Sequence, residues 1–224
     1  MKWLYKLDRK FGRFCIPHLM IVIIAGQAMV YLANILSPGI GLTNMLSLYW
    51  PAVMQGQVWR LFTFIFIPEG GGGMLGAFGL ILTLYFYYLI GNTLETTWGS
   101  FKFNVYYLCG MVGAIIAAAI TGYGTSYYIN LSLFFAFAML YPDFGVLLFF
   151  VIPLKMKYLA FFSGALCLID LVLGSWYMRA AILLSLANFL LFFGGDFIKT
   201  VRQELRYSKT RRAWRDQNRN NWNR

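Results

Sequence analysis

From Ile16 to Leu36 the chain carries no Asp, Glu, Lys or Arg. A helical run of about 20 such residues matches the hydrocarbon thickness of a bilayer. Lys2, Lys6, Arg9, Lys10 and Arg13 precede it, which resembles a signal peptide, but no small-residue cleavage site follows. A retained span is therefore expected. Composition extends the argument to the whole chain: 60% of its 224 residues are hydrophobic, 12% are charged, and Phe, Tyr and Trp make up 19%. Soluble domains carry roughly twice that charge fraction. A water-soluble core of this size cannot hide so much apolar surface, so lipid is the solvent for much of it.

Five further apolar runs follow: Leu75–Leu94, Phe103–Thr121, Tyr127–Tyr141, Tyr158–Leu173 and Trp176–Gly194. Proline and glycine punctuate them, at Ser37-Pro38-Gly39 and again at Pro142. The segment Ser37–Met74 holds Trp50-Pro51, Trp59-Arg60 and the glycines 70–73, and is too aromatic for a solvated linker. Interfacial helices are expected there. Phe144–Ile152 is too short to cross and reads as an interfacial or re-entrant piece. Six crossings put 17 of the 19 Lys and Arg on one side, leaving only Arg60 and Arg179 opposite. By the positive-inside rule both termini are then cytoplasmic. The third run carries Gly110, Gly113, Ala114, Ala117 and Ala118, small residues that suit an internal helix more than a dimerisation face. The short fourth run is mismatched to a bilayer and would thin it locally.

Metal chemistry has little support. His18 is the only histidine, and Cys15, Cys109 and Cys167 form no paired-ligand motif. The cysteines read as small hydrophobes, and no cofactor is expected.

Three motifs in order resemble the rhomboid superfamily. Gln57-Val58-Trp59-Arg60 resembles the Trp-Arg motif of the first external loop, and Gly91 through Glu95 to Gly99-Ser100 resembles the end of the second span. Asn130-Leu131-Ser132-Leu133 stands where active rhomboids carry Gly-x-Ser-Gly. The resemblance covers Ile16 to Gly194. It implies an all-α bundle of six transmembrane helices with a long membrane-associated first external loop. The chain then divides into a basic cytoplasmic N-terminus (1–15), a rhomboid-like membrane domain (16–195) and a basic cytoplasmic tail (196–224). Trp59, Arg60, Glu95 and Gly99 are expected to fix structure rather than bind ligand: Trp59 suits an interface, and the two charges need hydration or hydrogen bonds.

Catalysis requires a nucleophile, a base and oxyanion donors. The resemblance assigns the nucleophile to Ser132 and the base to Ser185, where the family pattern has histidine. A hydroxyl is a very poor base near neutral pH. Leu133 replaces a glycine that gives access to the serine, and the second-span Asn and His positions fall at Thr83 and Gly79. Loss of the base alone costs several orders of magnitude in rate. His18, Lys155 and Lys157 all belong to the cytoplasmic end, away from an external site.

The expectation is a pseudoprotease, with no catalytic residues, that binds transmembrane segments of client proteins. Derlins resemble it in having Trp-Arg in the first loop, no dyad, and a role in handling membrane substrates. The alternatives are an atypical intramembrane serine endopeptidase using Ser132, and a transporter or channel built on Gln27, Asn34, Asn130 and Asn188. Asp170 and Arg179 are expected to pair across the turn between the last two spans. The tail, with nine Lys and Arg plus Trp214 and Trp222, is expected to meet anionic lipid headgroups or simply to fix topology. A protein partner ranks behind these, and nucleic acid is not expected. The lack of a disulfide framework or organelle signal points to a bacterial plasma membrane.

Overall fold

The computed structural model describes residues 9, 15–69, 73–148, 152–176 and 178–194. The expectations for the tail 196–224 and for most of 1–15 lie outside the described residues. Six apolar helices carry the chain: α1 (Leu19–Leu36), α2 (Gly73–Trp98), α3 (Ser100–Thr121), α4 (Tyr127–Leu140), α5 (Met156–Leu173) and α6 (Met178–Gly194). Four of them, α1, α2, α3 and α5, are long and apolar enough to cross a membrane. This is a mostly helical, membrane-embedded chain. The 14 residues of α4 rise only about 21 Å, against a hydrocarbon core of about 30 Å.

The helix ends have local causes. Pro38 disfavours the α conformation at the residue before it, and Ser37 leaves the helix at φ −139° and ψ 69°, so α1 stops there. Gly99 separates α2 from α3 at φ +85°, a conformation costly for any residue with a Cβ. Gly122 caps α3 at φ +88° by donating its N–H to the Ala118 carbonyl at 2.7 Å. Gly174 closes α5, where a Cβ would stand only 2.1 Å from the Asp170 carbonyl oxygen.

α3 lies at the centre. Phe103, Tyr106 and Ala118 on it are fully buried, as are Leu94 of α2 and Phe137 and Ala136 of α4. Its small residues act as contact sites within the bundle. A Cβ on Gly110 would meet Ile129 at 2.9 Å and Asn188 at 3.2 Å. Between α1 and α2 the same device appears at Gly91, which receives Met20. By contrast α5 turns Phe161 (82% exposed), Val172 and Leu173 outward, a face that only hydrocarbon would cover at low cost. Trp98, Tyr106, Phe192 and Phe193 stack one end of α6 onto α2 and α3, with the closest rings 4.9 Å apart.

Residues 37–69 form a chain of short helical turns, Pro38–Ile40, Leu42–Leu46, Trp50–Met54, Arg60–Thr63 and Phe64–Phe66, as the aromatic segment suggested. Strand β1 (Leu48–Tyr49) pairs antiparallel with β2 (Tyr123–Gly124) and ties this loop to the end of α3. Gly124 fits closely there: a Cβ would stand 2.6 Å from the Leu48 side-chain tip and 3.1 Å from the Ala114 carbonyl oxygen. The segment expected as an interfacial or re-entrant piece at Phe144–Ile152 belongs to a hairpin. Strands β3 (Gly145–Leu148) and β4 (Ile152–Lys155) pair as an antiparallel hairpin. Its base is pinned where Lys155 and Lys157 reach Asp143 at 3.0 and 2.9 Å, and these ammoniums hold the Asp143 carboxyl below its ordinary range.

Candidate functional site

Two polar anchors stand at opposite ends of α2. In the first loop the Arg60 side chain is buried, with Nε donating to Gln57 Oε1 at 2.7 Å and Nη1 to the carbonyls of Asn44 at 2.6 Å and Ser47 at 2.8 Å. Trp59 beside it is half exposed. At the far end of α2, Glu95 is buried, and its Oε1 accepts the His18 backbone N–H at 2.7 Å and the Ser100 hydroxyl at 2.7 Å. The carboxylate thereby joins the starts of α1 and α3 to the end of α2, beside the reversal at Gly99. Asn104 adds a clamp there, donating to and accepting from the backbone of Ile16.

Ser132 and Ser185 come together. They line one cavity of about 360 Å3 with Asn188, Asp170 and Gly110. Neither hydroxyl points at a base. Ser132 Oγ donates to the Ile129 carbonyl at 2.7 Å, and Ser185 Oγ donates to the Tyr128 carbonyl. Both acceptors belong to α4, so each proton is held by helix backbone. Leu133 is buried in the core. Thr83 and Gly79 do not join the serines. The Thr83 hydroxyl returns to the Gly79 carbonyl at 2.9 Å, within α2, and a Cβ on Gly79 would meet nothing within 4 Å. The expected Asp170–Arg179 pair is also absent among the described residues. Arg179 instead donates to the carbonyls of Gly174 at 3.1 Å and Val172 at 2.6 Å. The last carbonyls of a helix lack intrahelical partners, so a nearby guanidinium satisfies them. Asp170 faces the serine cavity.

A second cavity of about 600 Å3 opens between α2, α4 and α5, with Thr83, Tyr87, Phe86 and Asn130 in its walls. Sequence reasoning missed the group behind it. Glu69, just before α2, accepts the Ser126 hydroxyl on Oε1 at 2.9 Å and the Tyr87 hydroxyl on Oε2 at 3.2 Å. Both ion pairs among the described residues belong to Asp143, so no cation pairs with Glu69. Burial pushes its carboxyl up to about 7, only partly offset by the two hydroxyl donors. One signal was available: Glu69 is the only acidic residue between Asp8 and Glu95.

Of the four polar residues considered for a conduit, three are engaged. Gln27 donates to the Ile65 carbonyl, Asn34 to Thr43, and Asn188 to the Tyr106 carbonyl. Asn130 alone has neither amide atom hydrogen-bonded. Cys15, Cys109 and Cys167 are free thiols. Compared with models of known families and with curated proteins, the chain gives no match.

Proposed function

We propose that the protein is a rhomboid-like pseudoprotease of six crossings with cytoplasmic termini, which binds transmembrane segments of other proteins in a bacterial plasma membrane. The observation that carries this reading is the pairing of Ser132 and Ser185 in one cavity, each hydroxyl committed to a backbone carbonyl of α4. The two positions that the resemblance assigns to nucleophile and base line the same cavity, and the second carries a hydroxyl in place of an imidazole. His18, the only imidazole, has its backbone N–H on Glu95 at the end of α2 remote from the first loop. Binding without cleavage is supported by the lateral cavity between α2 and α5 and by the burial of Arg60 and Glu95 as structural anchors.

The atypical protease reading retains one observation, the Asp170 carboxylate in the serine cavity. A cleavage assay in liposomes separates the two, using a panel of transmembrane substrates, the wild type, Ser132→Ala and an active rhomboid as positive control. The expected result is no cleavage by the wild type beside an active control. Cleavage that disappears in Ser132→Ala would overturn the pseudoprotease reading.

A further inference from the structure

Asp170 stands in the last turn of α5, where the helix carbonyls already carry partial negative charge and disfavour a carboxylate. The cation expected beside it, Arg179, is turned to the carbonyls of Gly174 and Val172. Among the described residues the Asp170 carboxylate has neither a hydrogen bond nor an ion pair. The residue is exposed, and it is the only charged one on the wall of the serine cavity. A second acid lies close by, since the Tyr127 phenol is within electrostatic reach of both Asp170 and Glu69. Negative charge thus gathers at the start of α4 with no cation committed to it among the described residues.

The rest of the wall fits the same sign. Ser132 and Ser185 have given their protons to backbone carbonyls, so their oxygens can only accept. Tyr123, Tyr127 and Tyr128 bring phenol rings to the cavity, and the first two are half exposed. Aromatic rings attract cations, and most effectively those that shed water easily. A divalent metal is a poor match, because calcium takes six or more oxygen ligands and no group of three His, Cys, Asp or Glu occurs among the described residues. About 360 Å3 holds a small molecule or a headgroup, but not a helix about 10 Å across. We propose that the cavity shared by α3, α4, α5 and α6 binds a small organic ammonium group, with Asp170 as its counter-ion. Two sources carry that chemistry, a free amine and the ammonium of a phospholipid headgroup. The site does not depend on the client-binding reading.

The test uses the full chain in nanodiscs of phosphatidylglycerol, with saturation-transfer NMR as the readout. The probes are choline and its uncharged isostere 3,3-dimethylbutanol. Choline is expected to bind about tenfold more tightly, the scale of one cation held by a carboxylate and an aromatic wall. Asp170→Asn is expected to abolish that advantage, and Asp170→Glu, which keeps the charge, to retain it. Both variants share the anionic lipid surface of the wild type, so the difference between them reports the cavity alone. Equal binding of the two probes to the wild type, or an advantage that survives in Asp170→Asn, would overturn the proposal. So would displacement of choline by sodium as effective as that by tetramethylammonium, which would mean unselective charge pairing. The source is read by doping the discs with phosphatidylethanolamine, against an equal fraction of uncharged glycolipid. Weaker choline binding with phosphatidylethanolamine alone supports the site as one for a lipid ammonium. Equal binding in both supports a free amine.

Discussion

The two faces of α4 treat polar groups in opposite ways. Ser132 and Asn130 are two residues apart, about 200° around the helix, so they look into different cavities. On the Ser132 side both serine hydroxyls have carbonyl acceptors and Asn188 reaches the Tyr106 carbonyl, although the buried Tyr106 hydroxyl has no partner. On the Asn130 side an amide is unpaired and a carboxyl, Glu69, has two hydroxyl donors but no ion-pair partner among the described residues. The Ser132 face, whose two serines are both satisfied, is the one that the protease resemblance singled out.

The largest expected effect is at Glu69. Its folded carboxyl keeps a proton to about pH 7, against an ordinary value of 4.5, so the folded state binds more protons than the unfolded state between these values. The stability from this group is full below the unfolded value and is lost as pH rises through the folded one. Over that window the loss is about 3 kcal/mol. Unfolding in mild detergent at pH 4.5 and pH 8 is expected to show a Tm difference that shrinks in Glu69→Gln. An unchanged difference would mean that the carboxyl is not isolated and would break the contrast between the faces.

Next comes Asn130→Leu, which exchanges two unpaired amide atoms for an apolar side chain and is expected to stabilise the protein by about 2 kcal/mol. A fall in Tm would mean that Asn130 has a partner after all. The smallest effect is expected for Ser132→Ala. It removes one hydrogen bond to a carbonyl that also serves the helix, and is expected to cost about 1 kcal/mol. A loss several times larger would assign the serine a role beyond local bonding and sharpen the case for the satisfied face as a working site.

Much of this was legible from the chain alone, because the dominant signals were apolar length and helix-breaking residues. Pro38, Gly99 and Pro142 mark helix ends that the structure reproduces within a few residues. Ser132 and Ser185 could be matched to one site from motif order, and hydration or hydrogen bonding of Arg60 and Glu95 was expected from the cost of a charge without donors or acceptors, but their burial was not. The hairpin at Gly145–Lys155 was not legible as strands, since a short run of Val, Leu and Phe suits a strand and a buried helix equally. Glu69 escaped because its neighbours in sequence are proline and glycine. Its burial comes from Tyr87 and Ser126, which are distant along the chain. Arg179 was paired with Asp170 by spacing, but the carbonyl ends of α5 compete for the same guanidinium.

The Arg60 network carries one more consequence. Its guanidinium gathers chain positions 44, 47 and 57, so it closes the first loop across 16 residues much as a covalent bridge would. Unlike a disulfide, this closure needs no oxidant and yields to no reductant. The loop should hold its shape whether the compartment it faces is oxidising or reducing.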